Sequence, residues 1–412
     1  MSRLVPKLRF KEFSGEWEEK RLGDIGDIIT GNTPKTNEPD NYGNEILFVS
    51  PADISESRYI YNTNKKLSNK GFLKTRQIKS KSILVVCIGS TIGKVAQSKF
   101  KSATNQQINS IIPFDEYNCD FIYSTLEKDA KKIKAIAGNH AVPIINKTEF
   151  SSIKILVPAT PQEQQKIADT LSSLDNLIEA NSKKVEALKK HKKGLMQQLF
   201  PTDNEKMPKL RFKEFSGEWE EKELGDLTSL ITKGTTPKYF VDNGIRYIKI
   251  ESINGININE DKCLFIDRNT HQNELKRSIL QENDILFAIA GSLGKVTFVK
   301  KSNLPANTNQ ALSIIRLKEK NNLFFILYIL QSERIKKYIE KSLSIGAQPN
   351  LNLKQMSEFN FYLPHPQEQQ KIADTLSSLD NLIEATQKKV EALKEHKKGL
   401  MQQMFVSEEV CD

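Results

Sequence analysis

Aliphatic side chains recur at helical spacing along two long stretches of the chain, residues 161–200 and 366–405. From Ile167 onward, steps of four and three residues alternate, which is the 3.5-residue period of a coiled-coil seam. Pro161 provides a helix start signal, and Pro201 ends the first helix. The aliphatic positions of the predicted seam are Ile167, Leu171, Leu174, Ile178, Val185, Leu188 and Leu195 in the first stretch and Ile372, Leu376, Leu379, Ile383, Val390, Leu393 and Leu400 in the second.

Each predicted helix is longer than one domain can cover. About 38 helical residues make a rod of roughly 57 Å, whereas the region before each rod has only about 140 residues. A helix of this kind could instead pack only on its own domain, but the sustained stripe favours packing of the two helices against each other. The residues alone leave parallel and antiparallel pairing open.

Polar residues interrupt the seam at Asn181 and Lys192 in the first helix and at Thr386 and Lys397 in the second. A polar seam residue such as Asn181 fixes register at a cost in stability. Six lysines are predicted on the outward surface of the first helix, as solvated residues or as contacts to a phosphate backbone or a partner subunit: Lys183, Lys184, Lys189, Lys190, Lys192 and Lys193.

The two helical stretches are near-identical copies, which shows an internal duplication. Of their 40 aligned positions only four differ, and the leading segments, residues 6–24 and 208–226, differ at one position in 19. A period of about 200 residues indicates a duplicated domain rather than a solenoid repeat. The predicted organisation is a first domain over 1–160, a long helix over 161–200, a second leading segment and domain over 201–365, a long helix over 366–405 and a tail over 406–412.

The two variable regions, residues 25–160 and 227–365, are similar in length but mostly different in sequence. Short β-branched runs separated by Gly, Asn and Pro turns predict mixed α/β domains with a substantial sheet. A helix is predicted over 323–344, with a counterpart over 121–137. The landmarks that the two regions share are Gly-Asn-Thr-Pro-Lys at 31–35 with Gly-Thr-Thr-Pro-Lys at 234–238, Gly-Lys-Val at 93–95 with 294–296, and Thr-Asn-Gln at 104–106 with 308–310.

The charge balance adds a candidate partner. A formal net charge of +10 with a pI near 9.1 fits either a solubility surplus or a polyanionic partner, most often nucleic acid. Four scattered cysteines without a CxxC pair fit reduced thiols. The first residues lack a signal-peptide core, and the longest apolar run, residues 323–330, is far below the roughly 20 residues that span a bilayer. These features predict a soluble, cytoplasmic protein without membrane contact.

Motifs of catalysis are missing from the sequence. Residues 89–95, Gly-Ser-Thr-Ile-Gly-Lys-Val, have three residues between the glycines and Val95 after the lysine, whereas a P-loop needs four and a Ser or Thr. We therefore predict a tight strand–strand turn with Lys94 beside it, and Lys295 likewise in the second variable region. The five histidines form no ligand pattern. The chain is predicted to bind rather than to catalyse, with no metal site and no cofactor of its own.

The duplicated sequence PQEQQKIADTLSSLD on a long helix, each copy preceded by a different variable region, resembles the specificity subunit of type I restriction–modification enzymes. The resemblance covers essentially the whole chain and includes Gly-Ala-Gln-Pro-Asn-Leu-Asn at 346–352 and Leu-Pro at 363–364. The first half departs from this pattern with Gly-Asn-His-Ala-Val-Pro at 138–143, which leaves the role of that loop open.

The resemblance implies an α+β fold with two globular mixed α/β target recognition domains, separated by two long helices that form an antiparallel coiled coil. It implies that each domain reads one half of a split, asymmetric site on double-stranded DNA. The paired helices would fix the gap between the halves and dock two methyltransferase subunits. Restriction and motor subunits complete the implied complex. S-adenosylmethionine, ATP and Mg are then expected in those partner subunits.

Internal comparison predicts which residues contact DNA. Positions common to both variable regions should shape turns and contact phosphates, and positions that differ should specify bases. The shared candidates are Lys35, Lys94, Asn105 and Gln106 with Lys238, Lys295, Asn309 and Gln310; the amides among them fit either adenine edges or loop bracing. The unshared candidates are Arg58, Tyr59, Arg76, Gln107, Tyr239, Arg246, Lys249 and Gln348. Trp17 and Trp219, in the leading segments, are predicted to anchor those segments to the fold.

Two other classes of function remain open at this stage. One is a free-standing two-headed DNA-binding regulator that needs no catalytic partner. The other is a scaffold without DNA, in which the helices join two ligand-binding domains. Salt-dependent duplex binding excludes the scaffold, and methylation that requires both this chain and a methyltransferase separates the specificity subunit from the regulator.

Overall fold

The computed structural model describes residues 4–138, 143–202, 205–319, 321–343 and 350–406. The chain divides into two compact units, unit 1 with Met1–Lys184 and Thr386–Asp412, and unit 2 with Val185–Ala385. Each unit therefore contains one variable region, the first half of the long helix that follows it and the second half of the other long helix. The unit boundaries fall inside the long helices rather than at their ends, where the sequence-based domain ranges place them.

Unit 1 is a mixed α/β unit. Its strands are β1 (Glu18–Arg21), β2 (Gly26–Thr30), β3 (Tyr42–Val49), β4 (Tyr59–Ile60), β5 (Lys65–Leu67), β6 (Gln77–Ile78), β7 (Ile83–Val86), β8 (Val95–Ser98), β9 (Ser102–Thr104), β10 (Ile108–Pro113) and β11 (Lys154–Val157). Its helices are α1 (Leu22–Ile25), α2 (Asn69–Leu73), α3 (Cys119–Lys128), α4 (Ala130–Ile136), α5 (Lys147–Ser152) and the first part of α6 (Pro161–Leu199).

The larger sheet of unit 1 has the strand order β2-β10-β7-β8-β4, and a second sheet has the order β5-β3-β9-β6. Strand β10 pairs antiparallel with β2 and with β7, and β7 pairs antiparallel with β8. All four side chains of β7 are buried, as expected for the β-branched and aliphatic run Ile-Leu-Val-Val at the centre of a covered sheet. Helix α3 covers this sheet with a run of buried residues from Phe121 to Leu126.

Unit 2 repeats this architecture. Its strands are β12 (Glu220–Glu223), β13 (Thr228–Lys233), β14 (Ile245–Ile248), β15 (Ile253–Asn254), β16 (Asn257–Ile258), β17 (Leu264–Ile266), β18 (Ile285–Ala288), β19 (Val296–Phe298), β20 (Ala306–Thr308), β21 (Leu312–Leu317) and β22 (Asn360–Leu363). Its helices are α7 (Leu224–Leu227), α8 (Leu323–Ile329), α9 (Glu333–Leu343), α10 (Leu353–Ser357) and the first part of α11 (Pro366–Met404). The sheet order β13-β21-β18-β19 matches β2-β10-β7-β8 of unit 1.

The helix predicted over 323–344 is wrong as a single element, because the structure has α8 and α9 with a turn at residues 330–332. The two parts have different surfaces. Helix α8 is apolar on all sides and buried from Phe325 to Ile329, whereas α9 carries charged residues between its buried Ile335 and Ile339. The chain turns so that each surface meets its own environment. Its counterpart over 121–137 is interrupted in the same way, at Asp129 between α3 and α4.

The two long helices are present with the predicted ends, α6 at Pro161–Leu199 and α11 at Pro366–Met404. None of the aliphatic positions proposed for the seam is exposed. Seven of the fourteen are buried: Ile167, Leu171, Val185, Ile372, Leu376, Ile383 and Val390. The others are half-buried: Leu174, Ile178, Leu188, Leu195, Leu379, Leu393 and Leu400.

The helices pair antiparallel, and the contacts inside each unit show this separately. In unit 1 the Lys397 ammonium lies 2.6 Å from Asp175, and Phe405 lies against Trp17, which binds Glu163 near the start of α6. In unit 2 the second half of α6 packs in the same way on the first half of α11. There Lys192 lies 2.7 Å from Asp380, and Phe200 packs in one cluster with Ile372. The fold predicted from the resemblance, including its antiparallel coiled coil, is confirmed.

Lys192 corrects one prediction about the helix surface. Its side chain is only 13% exposed because it reaches Asp380 on the facing helix, so its assignment to the outward surface is wrong. Lys397 is 7% exposed in the equivalent position of unit 1. The polar interruptions of the seam at these two lysines are thus charge pairs between the helices.

The leading segments are held on the long helices by a repeated ion pair. Arg9 donates to both carboxylate oxygens of Glu163 at 2.8 Å, and Arg211 donates to Glu368 at 2.8 and 2.7 Å. Both glutamates are 1% exposed. Trp17 and Trp219 are buried beside these pairs at 2% and 3% exposure, which confirms the prediction that they anchor the leading segments.

Candidate nucleic-acid interface

The three landmarks of the first variable region meet at one edge of the large sheet of unit 1. Strand β2 ends and β10 begins at this edge, and β7 turns into β8 there. We call the loops at residues 31–35, 89–94 and 105–107 the first edge. Three hydrogen bonds connect them to one another and to the strands: Gly31 N to Ile108 O at 3.1 Å, Thr33 Oγ1 to Gln106 Oε1 at 2.8 Å, and Cys87 N to Gln107 O at 2.8 Å.

Unit 2 builds the same edge from the equivalent loops at residues 234–238, 291–295 and 309–311, which we call the second edge. Its connections match those of unit 1: Gly234 N to Leu312 O at 3.0 Å, Ile289 N to Ala311 O at 2.9 Å, and Thr236 Oγ1 to Gln310 Oε1. The Gly-Lys sequences form strand–strand turns, as predicted, and both turns place glycine in the left-handed region, with φ of 89° at Gly93 and 78° at Gly294. The landmarks therefore share geometry in both units.

A close backbone approach explains the glycine that opens each edge. A Cβ atom at Gly31 would lie 2.2 Å from the carbonyl oxygen of Asn105, and one at Gly234 would lie 2.0 Å from the carbonyl oxygen of Asn309. Backbone oxygens inside a hydrogen-bonded loop cannot move aside cheaply. Only glycine lets the two loops touch.

Gly31→Ala is expected to lower the free energy of unfolding of unit 1 by about 1–3 kcal/mol, the usual cost of overpacking. Urea denaturation followed by Trp17 fluorescence in a Trp219→Phe background measures this change. The control is Gly399→Ala on α11, where nothing lies within 4 Å of an added Cβ; it should raise stability by about 0.5–1 kcal/mol, since alanine favours the helix. Equal stability of Gly31→Ala and the parent would refute the close approach.

The cations of the first edge are exposed and weakly held. The Lys35 side chain is 79% exposed and lies 3.7 Å from Glu38, whose own carboxylate binds Lys74 at 2.6 Å. The Lys74 hydrogen bond lowers the pKa of Glu38, so this acid is ionised and already neutralised. Lys94 donates to the Ile54 carbonyl at 3.1 Å. Exposed pairs of this kind contribute little, which leaves these cations suited to phosphate contact.

Arg76 lies beside the first edge, where it is exposed and bound to the loop. Its guanidinium donates to Thr30 O at 2.8 Å, and its backbone N–H donates to Asn32 Oδ1 at 2.7 Å. The second edge has equivalent cations. Lys238 is 81% exposed, 3.9 Å from Glu274, and Lys295 is exposed.

The shared amides divide into two kinds. Asn105 and Gln107 brace the loop, since Asn105 Nδ2 donates to Gln107 Oε1 at 2.9 Å and Gln107 N donates to Asn105 Oδ1 at 3.1 Å. In unit 2, Asn309 Oδ1 is buried and accepts no hydrogen bond from the described residues. Gln106 and Gln310 are exposed, so among the shared amides these two are the better candidates for contact with a base.

The prediction that Arg58 contacts DNA is wrong for this structure. The residue is 5% exposed, and its guanidinium is consumed by Gln97, Asp120, Ser172 and Asp175. Tyr59 lies half-buried beside it, with the Arg58 guanidinium 5.0 Å from its ring centroid. Both residues lie towards α6 rather than on the first edge.

The unshared candidates of unit 2 are more dispersed. Tyr239 is 54% exposed and directly follows Lys238 of the second edge. Lys249 follows β14, whose end pairs with the end of β20 next to Asn309. Arg246 lies near the other end of β14, 2.9 Å from Glu260, and is therefore not part of the edge. Gln348 lies outside the described residues.

Arg277 is a candidate that the sequence comparison missed. It is exposed, and its guanidinium lies 3.5 Å from Thr235 Oγ1 of the second edge, much as Arg76 holds the first edge. A signal was available, because both arginines precede the strand that leads to the Gly-Lys turn. A one-residue offset between the two variable regions conceals the match.

The described residues provide few reactive groups. Burial raises the pKa of Cys87 to about 11, so its thiol is protonated and inert at neutral pH. Within the described ranges no cluster of three or more His, Cys, Asp or Glu side chains is placed to hold a metal ion. In the same part of the chain, no helix combines the length and apolar character needed to cross a membrane.

Comparison with protein families gives one match that covers both units. The family model described as the type I restriction modification DNA specificity domain matches residues 14–190 and again residues 216–395. These two matches include both sheet edges and most of both long helices. The duplication seen within the chain is thus a duplication of this domain.

Relatives of full length agree with the family match. The chain is 28% identical over 415 residues to the type I restriction enzyme MjaVIII specificity subunit of Methanocaldococcus jannaschii, covering 95% of this chain and 94% of the relative. Its fold is similar to a crystal structure of a type I restriction–modification S subunit from M. genitalium, with a TM-score of 0.65, 17% identity, and coverage of 98% and 100%. A chain from a study of complex assembly in the type I system has a TM-score of 0.52 at 15% identity, with 94% and 97% covered.

Proposed function

Because this chain belongs to the type I restriction–modification DNA specificity family, we propose that each sheet edge reads one half of a bipartite, asymmetric DNA sequence. The chain is a DNA specificity subunit with two target recognition domains, and the proposal concerns how those domains read. Different variable regions on near-identical helices suit a non-palindromic site, since each half is read by different side chains. A free-standing regulator gains no support from the family match.

One observation carries the assignment of the edges. The same three loops meet at the same place in both units, while the side chains beside them differ. This is the arrangement expected when shared contacts position the protein on phosphates and private contacts select bases. We assign Lys35, Lys94, Lys238 and Lys295 to phosphate contact, and Gln106, Gln310, Arg76, Arg277 and Tyr239 to the surface that meets the bases. Lys249 borders that surface.

We further propose that two methyltransferase subunits bind the duplicated parts of the chain. The leading segments and long helices present nearly the same surface twice, and a repeated surface fits two copies of one partner. Leu8 and Leu210 are exposed at equivalent positions of the leading segments, at 43% and 42%. S-adenosylmethionine-dependent methylation of adenine belongs in this scheme to those subunits, and ATP- and Mg-dependent cleavage to restriction subunits.

Mapping of methylated adenines tests the proposal. When the chain is expressed with its methyltransferase partner, methylation should appear at a bipartite motif. Replacing residues 25–160 with the variable region of another family member should change one half of that motif and leave the other half intact, because each edge belongs to one variable region. A change in both halves would contradict independent reading, and methylation without this chain would contradict a specificity role.

A further inference from the structure

A buried charge network connects the first variable region to both long helices inside unit 1. Its centre is Arg58, on the variable region. The guanidinium donates to the surrounding side chains through Nε to Gln97 Oε1 at 2.9 Å, Nη2 to Asp120 Oδ1 at 2.5 Å, and Nη1 to Ser172 Oγ at 2.7 Å and Asp175 Oδ2 at 3.2 Å. Ser172 and Asp175 belong to α6. One side chain therefore joins a strand, a helix of the variable region and a long helix.

The network extends to the second long helix through Asp175. Lys397 of α11 lies 2.6 Å from Asp175 and also 2.6 Å from Glu127 of α3. Arg58 and Lys397 are 5% and 7% exposed, and the Arg58 guanidinium lies 4.6 Å from the ring centroid of Tyr123. A buried planar guanidinium with four polar partners holds its neighbours in one orientation.

The helix side of this contact is repeated in unit 2, but the other side is not. Ser172, Asp175 and Glu179 occupy positions i, i+3 and i+7, which lie on one face of α6. Their copies on α11 are Ser377, Asp380 and Glu384. We call each trio an orienting site.

Each variable region fills its orienting site with its own residues. In unit 1, Arg58 binds Ser172 and Asp175, and Tyr61 Oη lies 3.3 Å from Glu179. In unit 2, Tyr328 Oη donates to Asp380 at 2.7 Å and lies 3.2 Å from Ser377, and Asn257 Nδ2 donates to Glu384 at 3.0 Å. The two helices thus offer the same acceptors, and two unlike domains donate to them.

We propose that the orienting site fixes the angle at which the first variable region meets the helix pair, and that Arg58 is the positioning residue in that site. This inference rests on the proposed function, since it concerns how strictly the gap between half-sites is measured. A bipartite site is defined by the distance and the rotation between its halves. A domain held rigidly accepts one gap, whereas a domain that tilts accepts neighbouring gaps as well.

The test uses the full chain in complex with its methyltransferase partner. Initial methylation rates are measured on duplexes with the mapped gap and with gaps one base pair shorter and longer. Arg58→Lys keeps the charge but removes the planar fork. We expect its preference for the mapped gap to fall by about tenfold, within the range of coupling seen in a shared hydrogen-bond network, while base preference in the second half-site stays unchanged.

Arg316→Lys is the matched control. Arg316 forms a fork with the fully buried Asp284 at 2.7 and 2.8 Å, but this pair lies inside the second variable region and contacts neither long helix. The control should lose a comparable amount of thermal stability and keep its gap preference. Loss of gap preference in both variants would overturn the proposal, because it would then follow general destabilisation.

Milder variants keep the proposal testable if Arg58→Lys does not fold. Tyr61→Phe and Ser172→Ala each remove a single hydroxyl from the orienting site, and both should relax gap preference by a smaller factor. Unchanged preference in every folded variant would overturn the inference and leave the proposed function intact. If the parent complex itself shows no sequence-specific methylation, the proposed function fails instead.

Discussion

Lys192→Met is expected to lower the free energy of unfolding of unit 2 by about 3–5 kcal/mol, because it leaves a buried carboxylate without its cation. The Lys192 ammonium lies 2.7 Å from both oxygens of Asp380, and the two side chains are 13% and 17% exposed. Tyr328 also donates to Asp380. Burial raises the pKa of Tyr328 far above its ordinary value, so the hydroxyl stays protonated, but it supplies no positive charge.

The position of the two tryptophans makes this measurement specific to one unit. Trp17 lies in unit 1 and Trp219 in unit 2, so urea denaturation in a Trp17→Phe background reports on unit 2 through Trp219. Adding Asp380→Leu should recover most of the loss, since apolar replacement of a whole buried pair is often neutral. Lys189→Met is the control, because its pair with Glu186 is exposed and is worth about 0–1 kcal/mol. If Lys192→Met were no more harmful than this control, the buried pair would not stabilise the unit.

The same charge pairs account for the direction of the helices. Each helix carries one aspartate and one lysine in these positions, Asp175 with Lys192 and Asp380 with Lys397. Antiparallel packing places each lysine opposite an aspartate, as both units show. Parallel packing of near-identical helices in register would place lysine opposite lysine in a partly buried seam, where like charges repel strongly.

Most of the architecture was predictable because it is written in local periodicity and in the duplication. The spacing of aliphatic residues from Ile167 defines α6, and the proline at 161 marks its start. The polarity of the pair was not decided by that spacing, since an aliphatic seam fits both directions. Its physical cause was nevertheless visible as Lys192 and Lys397, which interrupt the seam, once the opposing aspartates are considered.

The candidate site was less predictable, because an exposed and a buried arginine have the same letter. Arg58 was grouped with Arg76 as a possible base contact, but the fold encloses Arg58 between Asp120 and Asp175, which are 62 and 117 residues away in the chain. Arg76 remains exposed at the first edge. Internal comparison located the loops of both edges, since their geometry is shared. It missed Arg277, since a one-residue offset conceals its correspondence.

Deletion of residues 181–187 together with 385–391 is expected to shorten the gap between the half-sites that the complex methylates. Each deletion removes one heptad, so the aliphatic seam keeps its alternation of three- and four-residue steps. Asp175 still faces Lys397, and Lys192 still faces Asp380, because equal lengths leave both helices. The orienting sites, which end at Glu179 and Glu384, also remain. Seven residues correspond to about 10 Å of helix, or about 3 base pairs of duplex.

The matched control deletes only residues 181–187. With unequal helices, the Asp175–Lys397 and Lys192–Asp380 pairs cannot both form, so this variant should lose stability and methylate no gap efficiently. The double deletion is expected to fold, to stop methylating the parental site and to methylate a shorter-gapped version of the same two half-sites in genome-wide mapping. A folded double deletion that keeps the parental gap would show that the helices do not measure it. Other parts of the complex would then have to set the distance.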